Sequence, residues 1–225
     1  MAENTATPVT AISPVAARLS FAAAATFLIL LAALHLVKPE LDPSWRMISE
    51  YEIGRYGWIM QLAFLALASS CVTLFVAIRS QAQTTGGRIG MAFLLLSAAG
   101  MAVAAVFIAD PITASQDELT THGNLHALGA FLGIPGFPIA ATLIGRSLYR
   151  NRAWFPARRS LLWAVGLNWF SLLVLVLSLA VMLPQGGGFG PDVLIGWPNR
   201  LFVAANSVWL MVVAWHALRL SRQGG

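Results

Sequence analysis

The chain contains one cysteine, Cys71, inside the apolar run LASSCVTLF, so it can form neither an intramolecular disulfide nor a cysteine-based metal framework. Charge is also scarce. Asp, Glu, Lys and Arg make up 10% of the 225 residues, against 58% hydrophobic residues. A globule of this size has too little interior to hide so much apolar surface, which excludes an ordinary soluble domain. Histidine is nearly as rare, with four residues, and two of them, His122 and His126, lie one helical turn apart in DPITASQDELTTHGNLH.

Six apolar stretches are long enough to cross roughly 30 Å of hydrocarbon at about 1.5 Å per residue. They lie at about 17–37, 56–78, 89–109, 122–145, 160–183 and 199–218. The expected fold is an all-α membrane protein, a bundle of six transmembrane helices at 17–218, with a polar tail at 1–16 and a short tail at 219–225. The first stretch follows Arg18, as a secretory signal would, but it is long for one and no small-x-small cleavage site precedes Lys38, so it reads as a retained helix. Gly129 and Gly133 form a small-xxx-small pair that invites close approach by another helix. Pro135 and Pro138 remove backbone donors from the middle of the fourth stretch, as a packed kink or a cavity wall would.

The net charge of +5 could suggest nucleic acid until the charges are placed along the chain. Arg18, Arg79, Arg88, Arg146, Arg150, Arg152, Arg158, Arg159, Arg219 and Arg222 fall at one end of the spans, with Glu3 as the sole acid. Lys38, Arg46, Arg55 and Arg200 fall at the other, with the remaining eight acids. Short loops follow the positive-inside rule, so the arginine-rich end, with both termini, is expected in the cytoplasm. The partner this implies is the lipid bilayer and not nucleic acid.

On that orientation His35, Ser49, Glu50, Glu52, Asp110, His122, His126 and Arg200 gather at the outward end. Only His216 among the histidines lies at the other. Helical positions i and i+4 share a face, so His122 and His126 can offer two imidazoles to one ion, with His35, Asp110 or Glu50 as a third ligand. Zinc is the expected metal in that case. The pair lacks the glutamate of HExxH, and Glu50 or Asp110 is then the candidate general base or proton carrier. The same residues also suit structural work. Asp110-Pro111 can stop a helix, Asp117 and Glu118 can cap the fourth, and Glu50 can pair with Arg46 or Arg55. Gln61, Asn168 and Asn206, placed within spans, should bond across helices or line a wet path.

Three segments together, HLVKPELDPSWRMISEYEIGRYGWIMQLAF, VFIADPITASQDELTTHGNLHALGAFLGIP and GWPNRLF, resemble the prokaryotic integral membrane proteins grouped as domain-of-unknown-function family 998. The matching features are Ile48-Ser49-Glu50, Tyr56 to Trp58, Asp110-Pro111, and His122, Gly123 and His126. Members often carry a Phe-Pro-Thr-Asp run where this chain has FIAD. The resemblance implies a multi-pass protein of a bacterial or archaeal cell membrane and supplies no reaction. In combining Ser, Asp and an HxxxH pair, the chain is also similar to membrane-embedded zinc hydrolases such as alkaline ceramidases, and it departs from them in span number and in lacking SxxxH.

Four functions fit these residues. The first is hydrolysis of a lipid or amphiphile at the outer leaflet, with zinc on His122, His126 and His35. The second is proton-linked transport or sensing through the histidines and carboxylates. A metal-free cyclase that protonates an isoprenoid through Asp or Glu is the third, and a non-enzymatic accessory protein is the fourth.

Overall fold

The computed structural model describes residues 12–223 and contains six long helices, with no strand among the described residues. They are α1 (Pro14–Val37), α2 (Gly57–Ile78), α3 (Thr85–Val106), α4 (Thr121–Leu148), α5 (Arg158–Gly186) and α6 (Gly196–Ser221). All six are long and apolar enough to cross a membrane, and the chain is a multi-pass membrane protein. The expected polar tail falls mostly on residues 1–11, outside the described residues, as does Glu3.

Three of the six helix starts are set by side-chain caps. Ser13 caps α1 by accepting from the Ala16 amide, and Pro14 occupies the first helical position, where its missing N–H costs nothing. Thr84 and Thr120 cap α3 and α4 by accepting from Gly87 and Gly123. The start of α2 differs. Tyr56 takes a left-handed φ of 66°, and Gly57 follows so close to the Glu52 carbonyl that a Cβ there would come within 1.8 Å of it. The one-turn helix Ile48–Glu52 is thereby clamped against the mouth of α2.

Each helix packs on the next in sequence, and α6 returns to α1, closing a ring whose centre is crossed by contacts between α2 and α6. α6 is the most buried helix and α5 the least. The small-residue pair of α4 meets α3 as expected: Gly100 and Gly129 face each other so closely that a Cβ on either would come within about 2.4–2.6 Å of the other's carbonyl oxygen. Ser20 and Ser70 exchange hydroxyl-to-carbonyl bonds of 3.0 and 2.8 Å between α1 and α2. Asn168 donates to the Ala205 carbonyl at 3.2 Å, joining α5 to α6. α4 runs through Pro135 and Pro138 without ending, and Phe137 between them packs edge-on to Trp209 at 5.6 Å.

The described acids Glu40, Asp42, Glu50, Glu52, Asp110, Asp117, Glu118 and Asp192 all lie in the connections after α1, α3 and α5, at one end of the bundle. The ten arginines separated from them in sequence lie at the other end.

Candidate functional site

At the acid-bearing end, the connection from Lys38 to Tyr56 folds back over the bundle and is held there by buried polar groups. Lys38, only 3% exposed, donates from Nζ to the carbonyls of Tyr51 and Ile53. Burial pushes its ammonium below the usual lysine range, an effect Glu40 opposes. From the far side of the ring α6 reaches the same segment. Asn199 Oδ1 accepts from the Ile48 amide at 3.1 Å, and the Gly196 amide donates to the Ser44 carbonyl at 2.9 Å.

Arg200 is the keystone of this contact. Its guanidinium donates to the carbonyls of Arg46 (2.7 Å) and Gly196 (3.0 Å), to the Tyr51 hydroxyl (3.1 Å) and, through Nε, to His35 Nε2 (2.8 Å). A carbonyl oxygen can only accept, so His35 Nδ1, 2.7 Å from the Leu31 oxygen, carries the hydrogen and Nε2 is the acceptor. The Nε2 lone pair that a metal needs is therefore directed at Arg200.

The carboxylates are equally engaged. Glu50 pairs with Arg46 at 2.6 Å and accepts from the amides of Met47 and Ile112 at 3.1 Å, tying the first connection to the third. Arg55, the other expected partner, instead lies over the Tyr56 ring. Asp110 accepts from the Thr120 amide and hydroxyl, both at 2.8 Å, at the N-terminus of α4, where helix dipoles favour negative charge. Gly123 is required beneath it, because a Cβ there would lie 1.9 Å from Asp110 Oδ2. α3 has already ended at Val106, so Asp110 is an anchor for α4 and not the terminator of α3. Nor do Asp117 and Glu118 cap α4. Glu118 closes a turn on the Ser115 amide and hydroxyl at 2.8 Å, and those bonds hold its carboxyl below the usual range.

The residue that sequence reasoning left out of the candidate set is Glu52. Its Oε2 lies 3.2 Å from His126 Nδ1 and accepts from the Ala109 amide at 3.2 Å, while Oε1 is buried without a hydrogen-bond partner. His126 Nδ1 is also 3.1 and 2.9 Å from the carbonyls of Ala104 and Phe107. Every neighbour of Nδ1 is an acceptor, so it bears the hydrogen, and Nε2 is the atom left to take a proton or a ligand. The segment ISEYE carries both Glu50 and Glu52, and nothing local in it distinguishes which of the two meets His126.

The structure does not bring the three expected metal ligands together. His126 is buried and His122, one turn earlier, is exposed with its ring edge against Phe107 at 5.4 Å. His35 belongs to the Arg200 cluster, stacked beside Trp197. Among the described residues no three His, Cys, Asp or Glu side chains are placed to share one ion. Ser49 is half-exposed on the Ile48–Glu52 turn. Of the amides within spans, Asn168 bonds across helices, whereas its Oδ1 and that of Asn206 are buried without partners, and Gln61 is half-exposed.

A family model described as "Protein of unknown function (DUF998)" matches residues 21–216. The chain belongs to DUF998. No curated protein and no solved structure matches it. In this DUF998 protein the matched region runs from α1 to the last turns of α6 and takes in every residue of the acid-bearing end described above.

Proposed function

We propose that this protein is a proton-responsive membrane protein of the cell membrane, with its arginine-rich end in the cytoplasm and the Glu52–His126 pair accessible to protons from the opposite side. The observation that carries the reading is the pair itself: a buried carboxylate with one oxygen unpartnered, facing an imidazole whose Nδ1–H is already fixed. A proton arriving at Nε2 makes an imidazolium against a carboxylate, and a proton arriving at Glu52 neutralises the carboxylate and turns an acceptor oxygen into a donor. Either event changes bonds that hold three elements at once, because Glu52 belongs to the folded-back connection, its partner amide Ala109 follows α3, and His126 lies on α4. Protonation is thus coupled to the seating of the 38–56 connection, which is the mechanical requirement of a sensor or of a gate.

Hydrogen–deuterium exchange on protein in nanodiscs tests this, with rates corrected for the intrinsic pH dependence. The expected outcome is a pH-dependent change in protection of residues 48–53 and of the Ala109 amide that disappears in His126→Gln. Protection that follows the same pH course in His126→Gln contradicts the reading.

The same pair favours a second reading, hydrolysis of a lipid or amphiphile at that end. A carboxylate that accepts Nδ1–H fixes the imidazole with Nε2 free to act as a base or a ligand, as it does for histidines that bind metals. No third side chain is placed to join His126 Nε2 and His122, so a zinc there would need its remaining ligands from water or substrate, and it would then supply a water acidified toward neutrality. Metal analysis of protein purified without chelators separates the two. Near-stoichiometric zinc, lost in His126→Gln together with turnover of lipid esters or amides, selects hydrolysis.

A further inference from the structure

A second constellation lies at the arginine-rich end, remote from the Glu52–His126 pair and independent of its role. His216, near the end of α6, places Nε2 2.8 Å from Ser160 Oγ on the first turn of α5. That hydroxyl is also 2.8 Å from the Ala157 carbonyl. The arrangement that satisfies all three polar groups has Ser160 donating to Ala157 and His216 Nε2–H donating to Ser160.

His216 is the shared wall of two spaces. One, of about 340 Å³, is an apolar groove between α1 and α6 lined by Phe21, Val208, Met211, Val212 and Trp215, with Ser160 at its edge. The other, of about 120 Å³, is lined by Ala157, Arg219 and Gln223 among others. The Arg219 guanidinium lies 5.0 Å from the centre of the Trp215 ring, so a cation rests on a wall of the apolar groove. No described Asp or Glu lies at this end of the bundle, so among the described residues no side-chain carboxylate answers the arginine.

An apolar groove ending at a guanidinium, an amide and a serine–histidine pair has the polarity of an amphiphile with an anionic head. Free phosphate would leave the groove unused. A zwitterionic head would bring a second cation among the arginines. We infer that this cleft binds an anionic phospholipid, its acyl chain in the groove and its phosphate on Arg219 with Gln223 beside it.

Native mass spectrometry of the detergent-purified chain, titrated with equal amounts of phosphatidylglycerol and phosphatidylcholine of identical chains, tests the site. Wild type should retain phosphatidylglycerol with a preference of about fivefold, the ratio one arginine near an anionic surface supports. Arg219→Gln should bring the two lipids near parity. Val208→Trp, which fills the groove and leaves the arginine, should remove retention of both, and it carries the test if Arg219→Gln does not fold. Equal retention in wild type overturns the proposal, as does a preference unchanged in either folded variant. Displacement of the lipid by millimolar inorganic phosphate would show a soluble anion site instead and overturn it equally.

Discussion

Arg200 shows how one side chain can fix the shape of an end of the bundle. Its guanidinium spans four acceptors that come from α1, α6 and the folded-back connection. A lysine keeps the charge but is a single point of donation and cannot span them. Arg200→Lys should therefore lower stability by about 1–3 kcal/mol, the cost of leaving buried acceptors unpaired. The check is the thermal midpoint in detergent compared with Arg55→Lys, whose side chain lies over Tyr56 and should move the midpoint little. Much of the residue-scale chemistry was legible as a gathering of ionisable groups at one end, and Asp110, Glu50 and Arg200 are all engaged there. Which atoms they engage was not legible. Partner choice depended on folding back a connection whose register no local pattern announces, and so Glu52, not Glu50, meets His126.

At the scale of elements, the six spans agree with the apolar stretches, and the boundaries differ where capping chemistry extends a helix beyond its apolar core. α3 begins at Thr85 and not near residue 89, because Thr84 caps a glycine-rich polar turn that hydropathy discounts. The meeting of α3 and α4 was half legible. Gly129 was readable as one side of a close approach, and its partner Gly100 sat unmarked in SAAGMAV. Gly129→Leu should separate the two helices and destabilise the fold by about 1–3 kcal/mol, measured as loss of helicity on titration with a denaturing detergent. Gly166, with open space beside it, should accept the same replacement with no such loss. The turn closed by Glu118 responds to acid. Its carboxyl is held low by bonds to Ser115, so the turn's contribution is complete at neutral pH and is lost as pH falls through that lowered value. Exchange protection of the Ser115 amide should accordingly persist through the range in which an ordinary glutamate protonates and fall only on further acidification.

For the whole molecule, the division of charge between the two ends is the organising feature. Among the described residues arginines without acids occupy one end, and at the other Glu50, Glu52, Asp110 and Glu118 are each bonded within the chain. Total composition conveyed that the chain belongs in a membrane, and the alternation of charge conveyed which connections share an end. The closed ring of helices was not legible, because the return of α6 to α1 rests on contacts across nearly the full length of the chain. It is that closure which presses Arg200 and Asn199 onto the connection carrying Glu52.

The central claim is that His126 and Glu52 share a proton equilibrium. It is tested most directly by nitrogen chemical shifts of histidine-labelled protein in nanodiscs, followed between about pH 5 and 8, where imidazoles ordinarily change charge. His126 should hold its hydrogen on Nδ1 and gain a proton at Nε2 in a single step, one that is displaced in Glu52→Gln and unaltered in Asp110→Asn. A His126 signal that stays flat across the range, or one that titrates identically in wild type and Glu52→Gln, would contradict it.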